Sequence, residues 1–575
     1  MAFAQLLDQV GSMGRFQVLN VLMLCFPTLF MATHNLLQNF TAAVPGHHCR
    51  ISANFTCGDN ATGNLDCRHL FIPTDGKRML QKCRRFVTIQ WQALDPNFTG
   101  LEGMESQEEP CLDGWVYEEE VFASTVVTEW DLVCDFRNLQ QMAQSIYMAG
   151  VLAGAVVFGG LSDKFGRKAL LIWSCFQMAV SGSCAAFAPS FIAYCVFRFL
   201  SGMALSGVGL NCSSLSVEWT PMHHRATVSM ATGYSYTAGQ FVLAGVAYAI
   251  RDWRWLQLAL SFPYFVFFLY GWWFVESARW YATAGNLDQA LKELQKVARI
   301  NGQKEQGEKL TLEVLKASLQ KETVSAKSSF TVVDLVRTPG LRRITCCLCF
   351  VWFSTSFAYY GLAMDLQNFG VSVYLIQVIF GAVDIPAKLI AFFIICYFGR
   401  RISQALSLIL AGLSMVGNLF VPQDMQLLRT VFAVFGKGCL AASFNCVFLY
   451  TGELYPTVIR STGMGFGNTM ARIGGIVAPL VRMGSEYSST LPLLIYGTAP
   501  IVSGIAACFL PETLNVPLPD TINDVESQNV ERQKEAEASQ HDGIILDQRE
   551  MKEIREESHP LKNVEQRNFD VPNRS

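Results

Sequence analysis

The sequence predicts an all-α membrane protein of twelve helices in two six-helix halves, with a disulfide-rich, glycosylated extracellular loop after helix one. Three observations predict it: an apolar composition, twelve apolar runs long enough to cross a bilayer, and motifs that recur at a near-constant offset. Hydrophobic residues make up 51% of the 575 residues and charged residues only 16%, with a mean hydropathy of +0.27. That balance suits a chain whose apolar surface meets lipid rather than closing around a single core. The formal net charge of −3 implies no nucleic-acid partner.

The first sixteen residues lack the basic start and small-residue cleavage motif of a signal peptide, so the apolar run from Phe16 to Leu37 is read as a retained first helix closing unit 1–37. Residues 38–138 are polar and carry six of the 18 cysteines: Cys49, Cys57, Cys67, Cys83, Cys111 and Cys134. The sequons at Asn39, Asn54, Asn60 and Asn97 fall in the same stretch, which therefore reads as an oxidised extracellular loop whose pairing stays open. Within 139–275 the runs fall near 139–161, 169–188, 190–214, 226–250 and 255–275. A polar cytoplasmic stretch, 276–342, interrupts them. Within 343–510 they resume near 344–365, 372–395, 402–421, 427–450, 461–481 and 489–510. The tail, 511–575, is mixed-charge and reads as cytoplasmic and largely disordered. Cys346, Cys347 and Cys349 open an apolar span with no histidine nearby, so they read as packing residues and not a metal site.

Basic residues set the orientation. Lys164, Arg167, Lys168, Arg225, Arg342, Arg343, Arg400, Arg401 and Arg460 all fall in loops on the side opposite the sequons, which places both termini in the cytosol. Gly166-Arg167-Lys168 corresponds to Gly399-Arg400-Arg401. Glu218…Arg225 corresponds to Glu453…Arg460, and Glu276-Ser277 to Glu512-Thr513. The offsets are 233, 235 and 236, so a six-helix unit has been duplicated. Parallel halves with a cargo site between them at mid-membrane are the expected consequence. The loop Gly159-x-Leu161-x-Asp163-Lys164-Phe165-Gly166-Arg167-Lys168 supplies an acid and bases that lock one conformation and release it when the halves rock, the alternative being a plain basic turn. Its repeat has Cys396 in place of the acid. Asp163, Arg167, Glu218, Arg225, Glu453 and Arg460 are the candidate gating charges.

The Gly159–Lys168 loop resembles the signature of the major facilitator superfamily. With the Cys-rich loop, Thr128-Glu-Trp-Asp-Leu-Val-Cys134, Glu276-Ser-Ala-Arg-Trp280 and Thr451-Gly-Glu-Leu-Tyr-Pro-Thr457, the chain is similar to the organic cation/anion/zwitterion transporter family. Asn35-x3-Asn39-Phe-Thr, Ser356-Phe-Ala-Tyr-Tyr-Gly-Leu-x-Met-Asp365 and Gly436-Lys-Gly-Cys-Leu-Ala-Ala-Ser-Phe-Asn445 resemble its organic anion branch over residues 1–525. Val275 departs from the proline usual in the family. The resemblance implies an antiporter that takes up aromatic carboxylates or dicarboxylates in exchange for an intracellular dicarboxylate such as 2-oxoglutarate. It implies a plasma membrane, the basolateral face of an epithelium, and no cofactor. Chloride, lipid and a second copy of the chain are further candidate partners. Uptake of cations or zwitterions is the alternative within the family; a channel or receptor lies further off.

Charges at membrane depth line a pathway or pair with one another. Arg472 in helix eleven and Lys388 in helix eight give a central cavity positive potential, Arg as a two-pronged donor and Lys as a point charge. Asp384, one turn before Lys388, offers the alternative of a local ion pair. Arg198 reads as a structural anchor. The resemblance places Tyr236, Trp352, Tyr359, Tyr360 and Phe444 around the cavity, where rings and hydroxyls suit flat anions; without it each reads as core. Asn35 and Asn445 either bind cargo or cross-link helices. No Gly-x4-Gly-Lys-[Ser/Thr] loop, HExxH or GxSxG motif occurs, which argues against ATP-driven pumping and against these hydrolytic enzymes.

Overall fold

Helices fill all twelve expected runs in the computed structural model, which describes residues 6–51 except 9, 67–74, 80–88, 107–317, and 331–530 except 370, 423, 457, 489, 517, 520 and 529. The first half contains α1 (Arg15–Leu36), α2 (Arg137–Phe165), α3 (Arg167–Ala186), α4 (Phe191–Glu218), α5 (Arg225–Ala249) and α6 (Trp253–Ser261, continued by Pro263–Tyr270). The second contains α7 (Pro339–Ala363), α8 (Val373–Phe398), α9 (Arg400–Gly417), α10 (Gln426–Leu454), α11 (Arg460–Met483) and α12 (Leu491–Ala507). Eight helical stretches of the described residues are long and apolar enough to cross a membrane by length and composition; α5, α9, α11 and α12 fall outside that set. Of these, α12 is short at 17 residues, and α9, at 18 residues, opens on Arg400 and Arg401. By contrast, α5 and α11 carry several Gly, Ser and Thr residues and face the other half.

The duplication read from loop motifs reappears in packing. In the first half α1 packs on α5, α2 on α4, and α3 on both α4 and α6; in the second α7 packs on α11, α8 on α10, and α9 on both α10 and α12. The same helices meet in each half, six positions on. The halves join through α2 against α11 and α5 against α8, contacts that exchange under the same relation. Local geometry repeats as well. Gly166 and Gly399 hold φ of +97° and +87°, a left-handed turn that favours glycine, between α2 and α3 and between α8 and α9. Glu276 then accepts the backbone N–H groups of Arg167 and Lys168 at 3.1 and 3.0 Å, and Glu512 accepts those of Arg400 and Arg401 at 2.8 and 3.0 Å. Each carboxylate caps the positive end of a helix.

Bonds between the halves gather at their outer ends. Asn39 Nδ2 donates to the Ala363 carbonyl at 2.8 Å, Ser145 Oγ to that of Ile476 at 3.0 Å, and Asn138 Nδ2 to Glu486 at 2.7 Å. These bonds close that end between the halves, and Asn39, a sequon asparagine, is buried within the short helix Gln38–Thr41. Asn54, Asn60, Asn97 and Cys57 lie outside the described residues, as does the Cys67 side chain. Four of the six loop cysteines pair as Cys49–Cys111 and Cys83–Cys134. Two antiparallel ribbons accompany them, β1 (His47–Cys49) with β4 (Trp115–Tyr117) and β2 (Arg84–Phe86) with β3 (Glu108–Pro110).

The beginning of the tail is ordered where the sequence suggested disorder. Val525 is buried against the second half, and Glu526 accepts the N–H groups of Gly340 and Leu341 at the start of α7. One carboxylate at a helix N-terminus and one apolar side chain hold a segment that its composition alone would leave loose.

Duplication makes a quantitative prediction. Glu276→Gln and Glu512→Gln each remove the charge while keeping an acceptor, so each is expected to cost about 1 kcal/mol and lower the unfolding midpoint in detergent by a similar amount. Thermal unfolding of the two single variants checks this, and a strong effect in one half alone would contradict equivalent caps.

Candidate functional site

Midway along the helices a cluster of polar side chains spans the two halves. Tyr147 of α2 donates to Asn35 Oδ1 of α1 at 2.9 Å, and Asn35 Nδ2 donates to the Tyr236 hydroxyl of α5 at 3.3 Å. Tyr236 lies close to Tyr360 of α7, and Arg472 of α11 is near enough to act electrostatically on Tyr147, Tyr236 and Tyr360. The Tyr359 ring stands edge-on to Tyr360 at 5.5 Å and to Phe444 at 5.3 Å. Tyr236, Tyr359, Tyr360, Phe444, Asn35 and Arg472 therefore come together, as expected. Arg472 is half-buried and forms no ion pair among the described residues. A guanidinium so placed, beside tyrosine hydroxyls and flat rings, suits a carboxylate carried on an aromatic body.

The other two bases near the centre are engaged. Lys437 of α10 pairs with Asp384 of α8 at 2.8 Å, both buried, while its ammonium lies 4.3 Å from the Tyr359 ring centre. Gln240 of α5 donates to the second Asp384 oxygen at 2.9 Å. Asp384 thus serves Lys437 and Gln240, and the i−4 pairing considered for Lys388 is not its principal contact. Lys388 reaches across to the first half, donating to the Gly233 carbonyl and Thr237 Oγ1 of α5, both at 2.9 Å. Lys437 was missed as a functional charge although it is visible in the apolar run 427–450; only the folded arrangement shows its partner. Arg198 is fully buried with its guanidinium 4.2 Å from the Tyr147 ring centre, inside the first half.

One residue expected at the cavity, Trp352, stands apart from this cluster. Trp352 is fully buried, donating Nε1 to Thr451 Oγ1 at 3.0 Å and packing against Phe448; it sits two helical turns from Tyr359 and belongs to the packing of α7, α10 and α11. Asn445 is exposed beside Phe444 and bonds to no side chain of this cluster.

At the helix ends that carry the Gly166 and Gly399 turns, the candidate gating charges form matching pairs. Arg167 bonds Asp163 at 3.0 Å and Glu218 at 3.3 Å, while Arg400 bonds Glu453 at 2.9 Å. Each glutamate takes the motif arginine as an ion-pair partner. Arg225 and Arg460 donate Nε to the carbonyls of Thr220 and Tyr455 at 3.2 and 3.3 Å. These bonds tie helices within a half, leaving the inner ends of the halves unlinked by them.

Breaking the Asp384–Lys437 pair from one side leaves a buried cation uncompensated. Asp384→Asn is expected to destabilise the protein by about 3–5 kcal/mol, whereas Asp384→Leu with Lys437→Met recovers most of that loss. Melting of the purified single and double variants measures both effects.

The family described as "Sugar (and other) transporter" matches residues 105–523. Solute carrier family 22 member 6-A of Xenopus laevis is 56% identical over 540 residues, covering 94% of this chain and 97% of that protein. Solute carrier family 22 member 6 of Oryctolagus cuniculus is 56% identical over 528 residues, covering 92% and 95%. Among solved structures, the inward open conformation of the xylose transporter XylE from E. coli superimposes with a TM-score of 0.53 at 18% identity, covering 68% of this chain and 90% of that one. The partially occluded inward open conformation gives 0.52 at 18% identity, with 66% and 88% covered. The fold is therefore that of the major facilitator superfamily. This chain is a multi-pass membrane transporter, not an enzyme, and it belongs to the sugar (and other) transporter family and, within it, to solute carrier family 22.

Proposed function

We propose that this transporter carries small amphipathic organic anions into the cell in exchange for an intracellular dicarboxylate such as 2-oxoglutarate, by alternating access. The observation that carries the reading is Arg472, half-buried and without an ion pair among the described residues, near Tyr236 and Tyr360, with Tyr359 and Phe444 packed behind them. Lys437 is already held by a carboxylate and Lys388 by a carbonyl and a hydroxyl, while Arg198 is buried within the first half against the Tyr147 ring. The relatives named solute carrier family 22 member 6 support the same class of cargo. Lys388, bonded to α5, acts as a tether between halves and exchanges that bond for cargo or water as the halves rock. The Arg167–Glu218 and Arg400–Glu453 pairs keep each half rigid during that motion. The plasma membrane of an epithelium, with both termini cytosolic, suits this exchange.

Proteoliposomes loaded with 2-oxoglutarate are expected to accumulate hippurate faster than empty ones and to ignore tetraethylammonium. Uptake without acceleration from the opposite side points to a channel; cation uptake alone overturns the anion reading. Arg472→Asp is expected to abolish anion uptake, and Arg472→Lys to raise KM by about ten- to a hundredfold because the charge stays and the fork is lost. Normal transport by Arg472→Ala would reduce this residue to helix packing. Lys388→Met is expected to slow exchange more than it weakens binding, read as turnover beside equilibrium affinity in the purified protein.

A further inference from the structure

A second cavity lies on the outer side, away from the tyrosine cage. It encloses about 750 Å³ between the extracellular loop, the start of α2 and the outer ends of α7, α9, α10, α11 and α12. Four bases line it, Lys82, Arg137, Arg429 and Arg482, against one acid, Asp365, for a net charge of +3. His47 adds no charge near neutrality, since desolvation lowers its pKa from the ordinary value. Arg482 is held by Asp365 at 2.6 Å, but Arg137 and Lys82 make no ion pair among the described residues. Leu362, Met415, Leu493 and Tyr496 give the same cavity an apolar wall. Its volume falls in the range that holds a small organic ligand.

A narrow polar cleft adjoins it. Arg482 lines both spaces, and behind it stand Gln38, Gln140 and Gln144. Gln144 is 2% exposed, and both of its amide atoms lack a hydrogen-bond partner. One turn further along α2 is Tyr147, which bonds Asn35 of the central cage. A basic mouth with an apolar wall thus leads, past the buried, unpartnered Gln144 amide, toward the cage.

We propose that this outer cavity is a second anion site, an extracellular vestibule that captures amphipathic carboxylates while the outer gate is shut. The inference rests on the anion reading of the central site, but it assigns a separate place. Its bases raise the local concentration of external anions by about tenfold, and its apolar wall holds their rings. Because the vestibule faces outside only, it assists uptake and leaves the inner face unaffected.

The test places a thiol in the wall with Ser485→Cys and follows its modification on intact cells by membrane-impermeant methanethiosulfonates, anionic and cationic. The parent protein supplies the background. Relative to their rates with a free thiol, the anionic reagent is expected to be favoured several-fold, and hippurate to protect the site. Protection is expected to persist when Arg472→Gln is added and to disappear with Arg137→Gln and Arg429→Gln. Those two substitutions are also expected to raise KM for external hippurate several-fold while leaving the internal half-saturation for efflux unchanged. Absence of protection, its loss with Arg472→Gln alone, or an equal KM change at both faces would overturn the vestibule. Failure of the parent protein to transport any anion, with protection intact, would instead overturn only the central reading.

Discussion

A charge buried at membrane depth must find a partner, and the central region is organised by how its cations meet that demand. Lys437 finds Asp384 on the neighbouring helix, and Asp384 is steadied from the other half by Gln240. Lys388 finds a carbonyl and a hydroxyl across the interface. Arg198 finds the face of Tyr147. Arg472 is left half-buried near the tyrosines, with no ion pair among the described residues. Asp384 neutralises Lys437 within its own half. On the proposed reading, the Arg472 guanidinium fixes a carboxylate and the rings fix the body that carries it.

The duplicated architecture explains how such a site is made accessible from alternate sides. The helix-capping glutamates and the arginine–glutamate pairs repeat within each half and brace it internally. Bonds between the halves lie at one end, where Asn39, Ser145 and Asn138 meet the second half, and at the middle, where Gln240 and Lys388 cross. On the proposed reading, rocking about the centre breaks the bonds at that end without disturbing the caps. The copies are not equivalent in their acids: Asp163 reinforces Arg167, while Cys396 stands in the second copy, giving the first half the more heavily braced loop.

The loop after α1 contributes to the second cavity: its Cys83–Cys134 bridge and Lys82 form part of the cavity wall. On the proposed reading, oxidation of the loop therefore shapes the approach to the cage, and vestibule and cage use the same chemistry, cation beside apolar surface, at different depths.

Much of this was legible in the sequence because the bilayer constrains it strongly. Twelve apolar runs, basic inner loops and the offsets 233, 235 and 236 determined the number of helices, the two halves and the matching loops. Arg472 stood out because an arginine in an apolar run is costly. Partner choice was not legible. Asp384 precedes Lys388 by one turn, yet it turns to Lys437, 53 residues away, because side-chain direction on a packed helix is decided by the neighbouring helix. Trp352 carries the same local signal as Tyr359, but two turns along α7 place it against Phe448 instead of the cage. The sequon at Asn39 satisfies a three-residue rule, while tertiary packing brings its amide to Ala363 and buries it. Periodicity and composition report what the membrane demands of each segment; which atoms meet depends on contacts between segments distant in sequence, and only the tertiary structure decided those.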